Sequence, residues 1–226
     1  MENERKDRIG ESRPPSLGAN GGGTALLLID VITDFDFEDG DRLFENAKRV
    51  VPAIAALRER ASREGLPVIY VNDNYGKWQD DFNKQVDEII RSSPRGKEIA
   101  EQLRPSKDDY YVLKPQRSAF YETPLAVLLA SMKVSNLVLA GFTTDICVLF
   151  SAHDAYMRGF RVFVPSDCSA AADMKHHEQA LELIARIADV DISPSANLEL
   201  SSTSEPKNSA RPENRPSTKT ADGAAV

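Results

Sequence analysis

Hydrophobic and polar positions recur along the chain at two periods. The run Ala25-Leu26-Leu27-Leu28-Ile29 is apolar at every position and stops at Asp30, which predicts a strand covered on both faces. Between Asp41 and Glu64 the apolar residues Val50, Ile54, Leu57 and Ala61 return at helical spacing, and Gly65 supplies a stop. Pro67 to Val71 reads as a second strand, and helical material comes next, from about Asn83 to Leu103. Tyr110 to Leu113 predicts a third strand, ending at Lys114. Pro124 to Met132 predicts a helix opened by the pair Thr123-Pro124. Leu137 to Gly141 is a fourth strand, and Asp145 to Arg158 a helix closed by Gly159. Phe160 to Pro165 completes a fifth strand and His176 to Ala188 a last helix, with a further short strand expected at Val190 to Ile192.

Strands alternating with helices build βαβ units, so the expected fold is α/β: three layers, α/β/α, around a mainly parallel Rossmann-like sheet. The apolar pattern does not run the length of the 226 residues. Residues 1–23 are polar with a Pro-Pro pair and the run Gly21-Gly22-Gly23, and 193–226 are rich in Ser, Pro, Asn, Lys and Ala; with little to bury, both are expected as disordered tails around a folded domain at 24–192. A hydrophobic content of 41% suffices for one core of that size.

Charge narrows the function classes. A net charge of −7 gives no global attraction for nucleic acid, and Lys107, Lys114 and Arg117 are too sparse to reverse that. No apolar run approaches the roughly 18 residues of a membrane span, and the first residues carry no signal core. Two cysteines, Cys147 and Cys168, do not make a disulfide framework, so a soluble cytoplasmic protein is expected.

Ligands of open α/β sheets sit beyond the carboxyl ends of the strands. Asp30, Lys114 and Cys147 fall at or just past such ends, and parallel strands would bring them to one edge. Together they supply a proton-transfer carboxylate, a positive charge and a nucleophile. Cys147 lies in the strand-to-helix turn Gly141-Phe142-Thr143-Thr144-Asp145-Ile146-Cys147-Val148, where Thr143 or Thr144 could cap the helix. A thiol at a helix N-terminus near a lysine is expected to have a lowered pKa. Singly each residue has a plainer reading: a buried inert thiol, a loop-capping carboxylate, a solvated lysine.

Three motifs are similar to those of the isochorismatase-like cysteine hydrolases. Leu27-Leu28-Ile29-Asp30-Val31-Ile32-Thr33-Asp34-Phe35 resembles the first motif, Lys114-Pro115-Gln116-Arg117-Ser118-Ala119-Phe120 the lysine motif, and Gly141 to Val148 the nucleophile motif. The resemblance implies a six-stranded parallel sheet, Cys147 as nucleophile, Asp30 as general acid/base and Lys114 as supporting charge. It further implies a cis peptide between Phe142 and Thr143, an oxyanion hole from the Thr143 and Cys147 N–H groups, and a homo-oligomer, dimer or tetramer. The implied activity is cofactor-free hydrolysis of a C–N bond, amide or carbamoyl, in a small molecule through a thioester. A catalytically idle binding or scaffold member of the same fold is the alternative, as is a hydrolase of another small metabolite.

Departures refine the subtype. Nicotinamidases carry an Asp-x-His metal motif after their second strand, whereas Val71 to Trp78 contains no histidine, so no metal is expected. His153, His176 and His177 read as packing or surface residues. Isochorismatases that cleave a vinyl ether lack the cysteine, so Cys147 argues against that chemistry. The first strand is not followed by a dinucleotide glycine fingerprint. Phe35, Asn72, Asn74, Trp78, Phe120 and Tyr121, in loops near strand ends, are the candidate substrate contacts.

Overall fold

A computed structural model describes residues 22–79, 81–186 and 190–200; most of the two expected tails, 1–21 and 201–226, lies outside the described residues. Strand β1, Gly23–Ile29, shows why its sequence is continuously apolar. Leu26 and Leu28 enter one core cluster, while Ala25, Leu27 and Ile29 enter a second on the opposite face. Helix α1, Gly40–Arg63, covers the first face with Leu43, Phe44, Ala47, Val51, Ile54, Leu57 and Ala61. Strand β2 is Val68–Asp73 and β3 is Tyr110–Lys114. On the second face lie α4, Leu125–Ser131, α5, Leu149–Met157, and α6, Met174–Arg186.

The helical stretch expected from about Asn83 to Leu103 is two helices, α2 (Phe82–Ser92) and α3 (Pro94–Gln102). Ser93 breaks it: its backbone is extended, its hydroxyl accepts the Gly96 N–H at 3.0 Å, and Pro94 cannot continue a helix.

The sheet is fully parallel, in the order β3-β2-β1-β4-β5, with β4 at Val134–Phe142 and β5 at Arg161–Phe163. A sixth strand, β6 (Ser169–Ala170), pairs with the end of β4. The fold is thus the three-layer α/β/α sandwich with six strands. The sixth strand is not the expected Val190–Ile192 segment, which contributes one bridge from Asp191 to Phe163; two residues are too few to show a period.

The folded unit also runs past Ile192, against the expectation of a tail from 193. Arg60 donates to the Ser195 carbonyl at 2.7 Å, Asp167 accepts from the Ser195 N–H and hydroxyl at 2.7 and 2.8 Å, and Leu198 is buried. Among the described residues no helix is long and apolar enough to cross a membrane.

After β3 the chain crosses back over β1 to lay down β4 on its other side, so strand order reverses between β1 and β4. Such a reversal opens a crevice at the carboxyl edge. Gly141 makes the close approach possible: its φ is +125°, and a Cβ there would lie 2.0 Å from the Ile29 carbonyl oxygen.

Candidate active site

At this carboxyl edge four adjacent strands each end in a chemically active residue: Lys114 on β3, Asp73 on β2, Asp30 just past β1, and Cys147 beyond β4. Adjacent strands lie about 4.8 Å apart, so a β3 side chain must reach across β2 to touch anything beyond β1. Lysine is long enough. Lys114 Nζ stands 2.8 Å from Asp30 Oδ2, 3.6 Å from Asp73 Oδ2 and 3.6 Å from Cys147 Sγ. The Asp73 backbone N–H donates to Asp30 Oδ1 at 2.8 Å, and the Asn74 N–H donates to the Lys114 carbonyl at 3.0 Å. Asp30 itself has a φ of 50°, which turns the chain out of the strand.

The electrostatics follow from burial. Lys114 is 0% exposed. Burial alone would lower its pKa, but Asp30, Cys147 and Asp73 outweigh it and hold the ammonium charged. Burial raises the Asp30 carboxyl above its ordinary value, against the pull of Lys114, of hydrogen bonds with Cys147 and Lys114, and of the Asp73 N–H. The thiol departs from expectation. Burial first, and then the neighbouring Asp30 carboxylate, push Cys147 up to about 12, more than Lys114 lowers it. A lysine shared with a carboxylate does not make a free-standing thiolate.

Nor is the turn holding Cys147 an ordinary helix start. Thr144–Val148 forms a π-type turn in which the Thr143 carbonyl accepts from both Ile146 and Val148, at 3.2 and 3.1 Å, before α5 begins. The Phe142–Thr143 peptide is cis. Neither threonine caps through its side chain: Thr143 Oγ1 is buried without a hydrogen-bond partner, and Thr144 Oγ1 meets His177 Nδ1 at 2.8 Å. His177, read from the sequence as packing or surface, is buried and contacts the turn that carries Cys147. Nothing in its spacing points to residue 144.

The lysine motif owes its Ser-Ala-Phe to docking on α5. Ser118 Oγ donates to Asp154 Oδ2 at 2.7 Å, and the Ala119 N–H donates to Ser151 Oγ at 2.9 Å. Phe120 is buried against Phe160, and Phe35 against Phe44 and Phe142, so both rings belong to the core rather than to open pocket walls. Asn72 is fully buried, donating to the Ile32 carbonyl at 2.6 Å, and Asn74 accepts the Gly76 N–H in its own turn. Trp78 is 76% exposed and Tyr121 is also exposed. Of the six candidates for substrate contact, Phe35, Asn72, Asn74 and Phe120 are thus buried, and Trp78 and Tyr121 face solvent. Tyr75 stands where an Asp-x-His pattern starting at Asp73 would place imidazole. The residue is partly in solvent, yet burial, with the charges of Asp30, Asp34 and Asp73, holds its phenol above the ordinary value against a hydrogen bond with Thr33. Among the described residues no three His, Cys, Asp or Glu side chains are grouped as metal ligands.

A family model for the isochorismatase domain matches residues 24–191. The uncharacterised isochorismatase family protein YaaI of Bacillus subtilis is 38% identical over 168 residues, covering 74% of this chain and 92% of that protein. A probable inactive nicotinamidase of Arabidopsis thaliana is 30% identical over 164 residues, 68% of this chain and 84% of its own length. Among solved structures, the N-carbamoylsarcosine amidase of Thermoplasma acidophilum superposes with a TM-score of 0.58 at 28% identity, over 78% of this chain and 99% of that one.

Proposed function

The chain belongs to the isochorismatase family, a generally hydrolytic family, and from that membership we propose that it is a cysteine-dependent amidase acting on a small amide or carbamoyl compound. One observation carries the reading: a single buried ammonium, Lys114 Nζ, touches both the Asp30 carboxylate and the Cys147 sulfur.

The resting thiol keeps its proton until substrate arrives. Asp30 accepts that proton as the sulfur attacks the carbonyl carbon, and the C=O electrons move onto oxygen, where the Thr143 and Cys147 N–H groups receive them. Asp30 then gives the proton to the departing nitrogen, the C–N bond breaks and a thioester remains. Water, deprotonated by Asp30, attacks the thioester carbon; the acid leaves and the sulfur recovers the proton. Lys114 offsets the negative charge that passes between sulfur and carboxylate. The nucleophile, the acid/base and the charge all come from the chain, so the proposal requires no cofactor.

A screen of small amides, carbamoyl compounds and ureido acids for ammonia release tests the reading. At least one substrate is expected, with turnover abolished in Cys147→Ala that retains the wild-type melting temperature. Full activity in that variant would overturn the mechanism. No turnover across all three classes would instead place the protein with its Arabidopsis relative as an idle member.

A further inference from the structure

Thr144 and His177 form a buried polar pair joining the turn that carries Cys147 to helix α6. Thr144 is 0% exposed and His177 7%, with Oγ1 and Nδ1 2.8 Å apart. Thr144 opens the π-type turn that ends just after Cys147, and His177 sits in the first turn of α6, its backbone N–H donating to the Asp173 carbonyl at 3.0 Å. A π-type turn is an uncommon piece of backbone that relies on its surroundings for support. Here one support comes from α6, thirty-three residues along the chain.

We propose that His177 is a positioning residue for Cys147, acting through the Thr144 hydroxyl to hold the nucleophile turn in register with Asp30 and Lys114. This rests on Cys147 being the reactive group of the cleft. The chemistry of the pair suits the task. A neutral imidazole with its proton on Nε2 has one acceptor, Nδ1, for the Thr144 hydroxyl. Burial lowers the His177 pKa and favours that neutral form, against the opposing charges of Glu178 on its own helix and Asp145 on the turn. His176, the preceding residue on α6, lies 3.9 Å from Asp145 and so also faces the turn. The adjacent pair His176-His177 thus addresses the adjacent pair Thr144-Asp145. Thr144 has no catalytic atom to offer; its hydrogen bond fixes the start of the turn whose fourth residue is the sulfur.

The test compares Thr144→Val, which keeps the shape and loses the hydroxyl, with His177→Phe, which keeps a ring and loses the acceptor, and with His177→Asn, which returns a hydrogen-bonding group near Nδ1. The readout is the rate at which iodoacetamide alkylates Cys147 in the full-length protein, followed by mass spectrometry. Thr144→Val and His177→Phe are expected to change that rate about fivefold to tenfold, the scale of one buried hydrogen bond, and His177→Asn to restore it to near wild type. The double variant Thr144→Val/His177→Phe should be no further displaced than either single, because both remove the same bond. Wild-type rates in both singles, or additive effects in the double, would overturn the proposal. A fall in melting temperature alone, with the rate unchanged, would reduce the pair to packing. Should His177→Phe fail to fold, Thr144→Val and His177→Asn decide the matter. Alkylation needs no substrate, so the result stands apart from the outcome of the amide screen.

Discussion

At the scale of single residues the question is where one proton resides. The Cys147 thiol is held up by burial and by Asp30, and is drawn down by Lys114. Asp30→Asn should therefore separate reactivity from turnover. Removing the carboxylate leaves the ammonium less opposed, so the thiol pKa falls and iodoacetamide labels Cys147 faster. Hydrolysis, which needs a proton acceptor, drops by about a hundredfold or more. Slower labelling in Asp30→Asn would contradict this account of the electrostatics. Lys114→Met should do the opposite, slowing labelling, and should also cost about 3–5 kcal/mol of stability, because Asp30 is left buried without its counter-charge. Chemical denaturation measures that loss. The same thiol gives a pH dependence whose sign can be fixed. Its pKa is raised from 9.0 to about 12, so between those values the folded chain keeps a proton that the unfolded chain has released. Stability then falls as pH rises through that window. Cys147→Ala should show a shallower alkaline decline in melting temperature than wild type, Cys168 supplying a shift in the same direction.

At the scale of elements, the strand that ends in Asp30 and the strand that ends in Lys114 could be read from the sequence because long apolar runs stop abruptly at an ionisable residue. The contacts that span those ends could not. That Lys114 must lie across β2 to reach Asp30, and so meets Asp73, is a property of strand order rather than of any local pattern. Burial of the aromatic candidates was hidden for a related reason: Phe35 and Phe120 come after motif residues in loops, but those loops fold back into the core. The two-residue β6 and the π-type turn are also set by tertiary contact, β6 by its pairing with Gly141 and Phe142. Gly141 is where local and global demands coincide. Its positive φ and its approach to the Ile29 carbonyl leave no room for a side chain. Gly141→Ala should destabilise the fold by at least about 3 kcal/mol, far beyond the cost of the same change at Gly65, where a Cβ meets no atom within 4 Å, although φ there is also positive. Equal losses at the two sites would mean that backbone conformation, and not the β1–β4 approach, controls the cost.

Over the whole molecule, composition placed the end of the folded unit at Ile192 because the residues beyond it are rich in Ser, Pro, Asn, Lys and Ala and hold few large apolar side chains. The structure extends it, since a few well-spaced residues suffice to seat a strap. Leu198 is 8% exposed, inside the cluster that lines α1. Ser195 is fixed from both sides, by Arg60 through its carbonyl and by Asp167 through its N–H and hydroxyl. Asp167 directly precedes Cys168 and β6, the strand that pairs with the end of β4, just before the turn that carries Cys147. The strap therefore braces the back of the sheet edge that carries the site. A chain ending at Ile192 gives up the burial of one leucine, about 1.5–3 kcal/mol, together with the Ser195 hydrogen bonds at about 1 kcal/mol each. For a domain of this size each kcal/mol moves the melting temperature by roughly 2–4 °C, so truncation should lower it by about 5 °C or more. Arg60→Ala in the full-length chain should give a smaller shift in the same direction. If truncation leaves the melting temperature unchanged, the segment beyond Ile192 adds nothing to the fold, and the boundary drawn from composition is the better one.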